Sequence, residues 1–229
     1  MSNPVLLKAV KILRVVGAVI VLLALFFVPA GTLNWPEAWV FMTFYLVLIC
    51  GVFIWLKKKD PGLLKERQRK KPEAKRWDKI LVRVYSGLLT VMCIVIGLDA
   101  VRFRWSRVPL TLKVVAFLCF LPSTVLMFWA MRENTYLSDM VIIQEDRGHK
   151  VCTTGPYRYV RHPMYAGVIL FFLCLPPALG SYYGLIPALI ISLLFIARTS
   201  LEDKTLRREL PGYRDYAQTV RYRLLPRIW

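Results

Sequence analysis

Two short segments hold most of the residues with chemistry to offer. The first is Gly155-Pro156-Tyr157-Arg158-Tyr159-Val160-Arg161-His162-Pro163-Met164-Tyr165-Ala166-Gly167, which gathers cations, aromatics, a histidine, two prolines and two glycines in one stretch. The second is Arg198-Thr199-Ser200-Leu201-Glu202-Asp203-Lys204, in which Arg198 and Glu202 are four apart and share a helix face. Arginine forks orient carboxylates and phosphates, and tyrosine faces attract cations. Taken singly, each of these residues also reads as an interfacial anchor or a solvated helix face. Metal chemistry lies outside the set. His149 and His162 are the only histidines, and Cys50, Cys93, Cys119, Cys152 and Cys174 show no metal-ligand or redox spacing. No Gly-x-Gly-x-x-Gly follows a strand, which argues against a Rossmann-type site.

The elements between the two segments bring them together. Tyr165 to Ala197 is 33 residues without a charge. One helix of that length would run about 50 Å, well beyond a bilayer core. Pro176-Pro177 and Gly180 interrupt it, so the stretch reads as a helical hairpin: Tyr165–Leu175, a turn, then Tyr182–Ala197. Both chemical segments then lie at the same mouth. Downstream, Arg198–Leu210 reads as a helix stopped by Pro211-Gly212, and Tyr213, Tyr216 and Val220 share a face of a second short helix. Upstream, Arg132–Pro163 is too polar to span a membrane. In it, Met140–Ile143 and Lys150–Cys152 read as short extended pieces flanking a turn at Glu145-Asp146-Arg147-Gly148. Four further apolar runs, about Ile12–Ala30, Pro36–Leu56, Ile80–Val101 and Leu112–Met131, are each long enough to cross. The expected fold is therefore all-α: a polytopic membrane helical bundle of about four spans, a C-terminal helical hairpin and a cytoplasmic helical tail. Residues 1–131 form the scaffold and 132–229 the region that carries the chemistry.

Composition agrees with a membrane setting. The chain is 57% hydrophobic and carries a net charge of +18 from 32 basic and 14 acidic residues. The charge falls between the apolar runs, which favours basic cytoplasmic loops over a nucleic-acid surface. The Lys57–Lys79 loop alone has eleven basic and four acidic residues. With six crossings, the N-terminus, this loop, Arg132–Pro163 and the tail fall on one side, expected to be the cytoplasm (of the inner membrane, in a prokaryote), against anionic headgroups. Arg102, Arg104 and Arg107 run against the pattern. Lys8, Lys11 and Arg14 before Val15–Val28 resemble a signal peptide, but further spans follow, so the run reads as an uncleaved first helix.

Gly155-Pro156-Tyr157, then Arg161-His162-Pro163-Met164-Tyr165 with Gly167, an apolar hairpin, an acidic pair and Pro-Gly-Tyr-x-x-Tyr resemble the isoprenylcysteine carboxyl methyltransferase family. The same features resemble the phospholipid N-methyltransferases more loosely. The resemblance is strong over Gly155–Val220 and weak back to Lys57. It implies an S-adenosylmethionine pocket at the membrane boundary and a lipophilic or prenylated acceptor. It places His162, Pro163 and Tyr165 around the cofactor, with Tyr157 and Gly167 near them and Tyr213 and Tyr216 covering it. It gives Glu202 the cofactor's amino group, and puts Arg161 and Arg198 near the reacting groups. The family's second glutamate is Asp203 here, one methylene shorter. The reaction implied is carboxyl O-methylation of an isoprenylcysteine-like acceptor. The alternatives are N-methylation of a phospholipid amine and, further off, an NADPH-dependent sterol-type reductase.

Overall fold

The structure is a computed structural model that describes the backbone of residues 4–229, and side chains at 13 and from 16 onward. Lys8, Lys11 and Arg14, on which the N-terminal orientation signal rests, lie outside the described side chains. The chain is all-helical, with no strand among the described residues. The helices are α1 (Pro4–Ala30), α2 (Pro36–Lys59), α3 (Pro61–Gln68), α4 (Arg76–Gly97), α5 (Leu110–Glu133), α6 (Pro163–Ala178), α7 (Leu185–Glu209) and α8 (Tyr213–Thr219). Four are long and apolar enough to cross a membrane: α2, α4 with its continuation to Arg102, α5 and α7. Val16–Ala30 of α1 and the 16 residues of α6 are shorter apolar helices. At 1.5 Å per residue α6 is about 24 Å long, short of a hydrocarbon core of about 30 Å.

Local chemistry sets the boundaries. Asp60 closes α2 and opens α3, where its carboxylate accepts the Leu63 N–H at 2.8 Å and Pro61 takes the first helical position. Lys57, Lys58 and Lys59 occupy the last turn of α2, at the negative end of its dipole. The membrane core gathers Phe26, Phe41, Met92, Ile96, Phe120, Leu179 and Ile191 from α1, α2, α4, α5, α7 and the α6–α7 turn, with Phe171 and Phe172 of α6 packed against it. Gly167 permits the close contact of α5 with α6. A Cβ there would meet Met127 Cγ at 2.7 Å and the Ser123 carbonyl oxygen at 2.9 Å, and the Ser123 hydroxyl donates to the Gly167 carbonyl at 2.9 Å.

Two expectations change. The hairpin does not turn at Pro176-Pro177. Both prolines lie in the last turn of α6, and their carbonyls accept from Ser181 and Gly180 at 2.9 and 3.1 Å. The turn follows at Gly180, where φ is +88°. It is fastened from outside the hairpin: Asp99, in the π-helical turn Leu98–Arg102, accepts from Ser181 Oγ, the Tyr183 N–H and both the N–H and hydroxyl of Ser106. The turn expected at Glu145–Gly148 is present, ending at Gly148 with φ +61°, but the pieces flanking it form no strand. The Val141 N–H donates to Asp78 Oδ2 at 2.8 Å and its carbonyl accepts from the Lys75 N–H, so this backbone is satisfied by the start of α4.

Candidate active site

A cavity of about 210 Å³ lies where the cytoplasm-expected ends of α4, α6 and α7 meet α3, α8 and the 134–162 segment. Its walls are mixed, polar and apolar. His149, Lys150 and Cys152 line one part, and Tyr85, Val168 and Phe195 another. Of the residues singled out in the sequence, Tyr157, Arg161, His162, Tyr165, Arg198, Glu202, Tyr213 and Tyr216 line it. Pro163, Gly167 and Asp203 do not. Pro163 opens α6, Gly167 sits at the α5 contact, and Asp203 lies behind the wall, 1% exposed.

The two neighbouring acids have opposite settings, because successive helical residues point about 100° apart. Glu202 faces the cavity. Tyr165 donates its hydroxyl to Glu202 Oε2 at 2.5 Å, and Oε1 accepts no hydrogen bond from the described residues. Asp203 is enclosed instead. Arg161 grips it through Nε and Nη2 at 2.7 and 3.2 Å, Arg207 and Arg223 add contacts at 3.0 and 3.3 Å, and the Tyr213 hydroxyl donates at 3.0 Å. Burial beside that carboxylate pushes the Tyr213 pKa up, so its hydroxyl stays a proton donor. His162 Nε2 stands 3.4 Å from the Tyr213 hydroxyl, and its ring lies parallel to that of Tyr165.

Both arginines of the expected set are committed to the protein. Besides Asp203, Arg161 donates through Nη1 to the carbonyls of Val220 and Arg221, while the Arg161 and His162 N–H groups bond the carbonyls of Tyr222 and Arg223. Residues 220–223 thus form a strap under the site. Arg198 pairs with Asp78 of α4 through Nε and Nη2 at 2.7 and 3.0 Å, donates to the Asp139 carbonyl at 2.7 Å and lies 5.3 Å from the Tyr165 ring centroid. Asp78 is fully buried, and Lys71 pairs with the carboxylate of Asp139. Tyr157 is fixed by Asn134, which donates to its hydroxyl, and by Tyr216, whose hydroxyl donates to its carbonyl at 2.7 Å. Gly155 places this turn: its φ is +56°, and a Cβ would meet Glu133 Cγ at 2.4 Å.

Sequence reasoning missed Asp78, Arg67, Tyr85 and the lining stretch Tyr136–Ile142. Arg67 and Asp78 are each one charge among many in the Lys57–Lys79 loop, with partners 70 and 120 residues away, and Tyr85 is one aromatic in an apolar run. His149 was noted only as one of two histidines. It stacks on Tyr136 with ring centroids 4.7 Å apart, and burial, helped by Arg147, lowers its pKa to about 4.

Residues 111–211 match the family model of the phospholipid methyltransferases. The matched stretch holds α5, α6, α7 and both chemical segments, and ends before Tyr213 and Tyr216. That family is a methyltransferase family, so the match supports a methyltransferase whose helices are apolar enough for a membrane. No curated protein matches the chain.

Proposed function

We propose that this protein is an integral-membrane methyltransferase that uses S-adenosylmethionine and acts on a lipophilic acceptor. The observation that carries the reading is Glu202: a cavity-facing carboxylate with one oxygen held by Tyr165 and the other open, inside the stretch matched by the family. The cavity suits such a cofactor. Glu202 Oε1 can take an ammonium group, and the lining tyrosines Tyr157 and Tyr216 are of a type that attracts a cation. When bound, S-adenosylmethionine supplies a methyl group already activated on a sulfonium, so the protein's task is alignment and exclusion of water. Glu202 holds and orients. Arg161, through Asp203, keeps α7 against the strap, and Tyr213 and Tyr216 close the polar side. Val168, Phe195 and Tyr85 present an apolar wall to the acceptor's hydrocarbon. In this reading 132–229 is the catalytic region and 1–131 the scaffold, which adds Arg67 and Tyr85 to the cavity. Both termini are cytoplasmic, an orientation that terminal reporter fusions read directly.

The resemblance carried by Arg161-His162-Pro163-x-Tyr165 supports carboxyl O-methylation of an isoprenylcysteine-like acceptor. Such a carboxylate is ionised at neutral pH and needs orientation rather than a base. A second reading, N-methylation of an amino-phospholipid, has specific support. Arg161 and Arg198 are held bidentately by Asp203 and Asp78, which leaves neither as an open fork for an acceptor carboxylate, and the matched family is the phospholipid one. The test is calorimetric titration of S-adenosylmethionine into purified protein, followed by labelled methyl transfer to N-acetyl-S-farnesylcysteine and to phosphatidylethanolamine. Glu202→Gln is expected to weaken cofactor binding about tenfold or more, the scale of a lost charge-assisted hydrogen bond. Failure of the wild type to bind S-adenosylmethionine, or binding of NADPH in its place, overturns the reading.

A further inference from the structure

Three arginines reach the cavity, and one of them is unlike the others. Arg161 and Arg198 are each almost wholly buried and held by an aspartate. Arg67, in the last turn of α3, is half-buried. Its one hydrogen bond to the described residues is a long contact of 3.4 Å from Nη1 to the Leu137 carbonyl. Its Nε and Nη2 have no partner among those residues, and no described carboxylate lies within salt-bridge distance of it.

The fold holds Arg67 in that position. Leu63, four residues earlier on the same face of α3, is fully buried against Leu56, Met131 and Leu137, and Asp60 caps the helix. The α3 face that meets the protein therefore carries Arg67 into the cavity wall beside Leu137, Ser138 and Asp139. The other cations nearby are differently placed: Lys71 is committed to Asp139, and Lys150 is exposed on a long side chain outside any helix, whereas the open Arg67 donors are held at the accessible cavity wall. A half-buried guanidinium with open donors carries a desolvation cost that a ligand oxyanion would offset.

We propose that Arg67 is the oxyanion-binding residue of this cavity, taking a carboxylate or phosphate of the bound ligand in its guanidinium fork. The oxyanion comes from one of two sources, the cofactor's amino-acid carboxylate or the acidic headgroup of the acceptor. The identity of that ligand rests on the methyltransferase reading above, whereas the oxyanion site rests on the geometry of Arg67 alone. With Glu202 open as well, the cavity presents one anionic and one cationic docking point, which matches a zwitterion better than a ligand of single charge.

The experiment compares full-length wild type, Arg67→Gln and Arg67→Lys in detergent. Calorimetry measures affinity for S-adenosylmethionine and for its decarboxylated analogue. Labelled transfer measures KM and kcat with phosphatidylethanolamine and with N-acetyl-S-farnesylcysteine. Thermal unfolding with and without inorganic phosphate reads the anion site without any methyl transfer. Arg67→Gln is expected to lose about tenfold or more in one of two patterns. Weaker S-adenosylmethionine binding with unchanged binding of the analogue assigns the site to the cofactor. Raised acceptor KM with unchanged cofactor affinity and kcat assigns it to the headgroup. Arg67→Lys, which keeps the charge but not the fork, should recover part of either effect, and it decides the matter alone if Arg67→Gln does not fold. Cofactor affinity and acceptor KM both within about twofold of wild type overturn the proposal, taking tenfold as the scale of such a bond. A wild type that binds no S-adenosylmethionine but is stabilised by phosphate, with the stabilisation lost in Arg67→Gln, retires the methyltransferase reading and keeps the oxyanion site. A wild type that responds to neither probe retires both.

Discussion

At the scale of single residues, the site separates groups that hold the protein from groups open to a ligand. Asp203, Arg161, Arg198 and Asp78 pair with one another, while Glu202, Arg67, Tyr157 and Tyr216 line the cavity. The sequence names Glu202 and Asp203 together as an acidic pair, and nothing in their order tells which one is enclosed. That is decided by Arg161, Arg207, Arg223 and Tyr213 converging on one side of α7. His149 gives a pH prediction. Its folded pKa is about 4, below an unfolded value of about 6.5, so below pH 6.5 the unfolded chain binds a proton that the folded chain refuses. This contribution leaves stability unaffected above that point and erodes it as pH falls from about 6.5 towards 4. Melting temperature in detergent should therefore decline less between pH 7 and pH 5 in His149→Phe, which keeps the stack on Tyr136, than in wild type. Parallel curves would show that His149 takes no part.

At the scale of elements, the prime case is the α5–α6 contact. Gly167→Val must push against the Ser123 carbonyl and Met127, and is expected to destabilise by about 1–3 kcal/mol, read from thermal unfolding. The same variant should reduce activity only in proportion to the folded fraction if Gly167 serves packing alone; a kcat loss in fully folded protein would place it in the chemistry. The long apolar runs made the spans legible, because length and hydropathy are properties of a contiguous window. The hairpin turn was less so. Two consecutive prolines read as a break, yet a helix can end on them when later N–H groups satisfy the freed carbonyls, and here Gly180 and Ser181 do so. The tie to Asp99 from 82 residues upstream leaves no local mark.

At the scale of the whole molecule, a buried ion pair ties α4 to α7, and a second pair ties the basic loop to the 134–162 segment beside it. Arg198 joins Asp78 across 120 residues and reaches the carbonyl of Asp139, whose side chain meets Lys71. Removing one partner leaves an uncompensated buried charge, so Asp78→Ala should cost about 3–5 kcal/mol in unfolding free energy. The paired change Asp78→Leu with Arg198→Leu should recover much of that stability. If Arg198 also serves the reaction, the double variant stays inactive though folded; full activity would reduce Arg198 to a structural tie. None of this network is visible in spacing, because an ion pair across α4 and α7 depends on how the helices cross rather than on their order. The strap at residues 220–223 has a consequence for how the protein is made. The ribosome delivers Arg161, then α6 and α7, and only afterwards the carbonyls that Arg161 grips and the arginine that completes the cage around Asp203. Until that stretch emerges, Arg161 lacks two of its acceptors and Asp203 one of its arginines, so this wall of the pocket is incomplete. Completion of this pocket is thus a late event in biosynthesis, after α6 and α7 have been made.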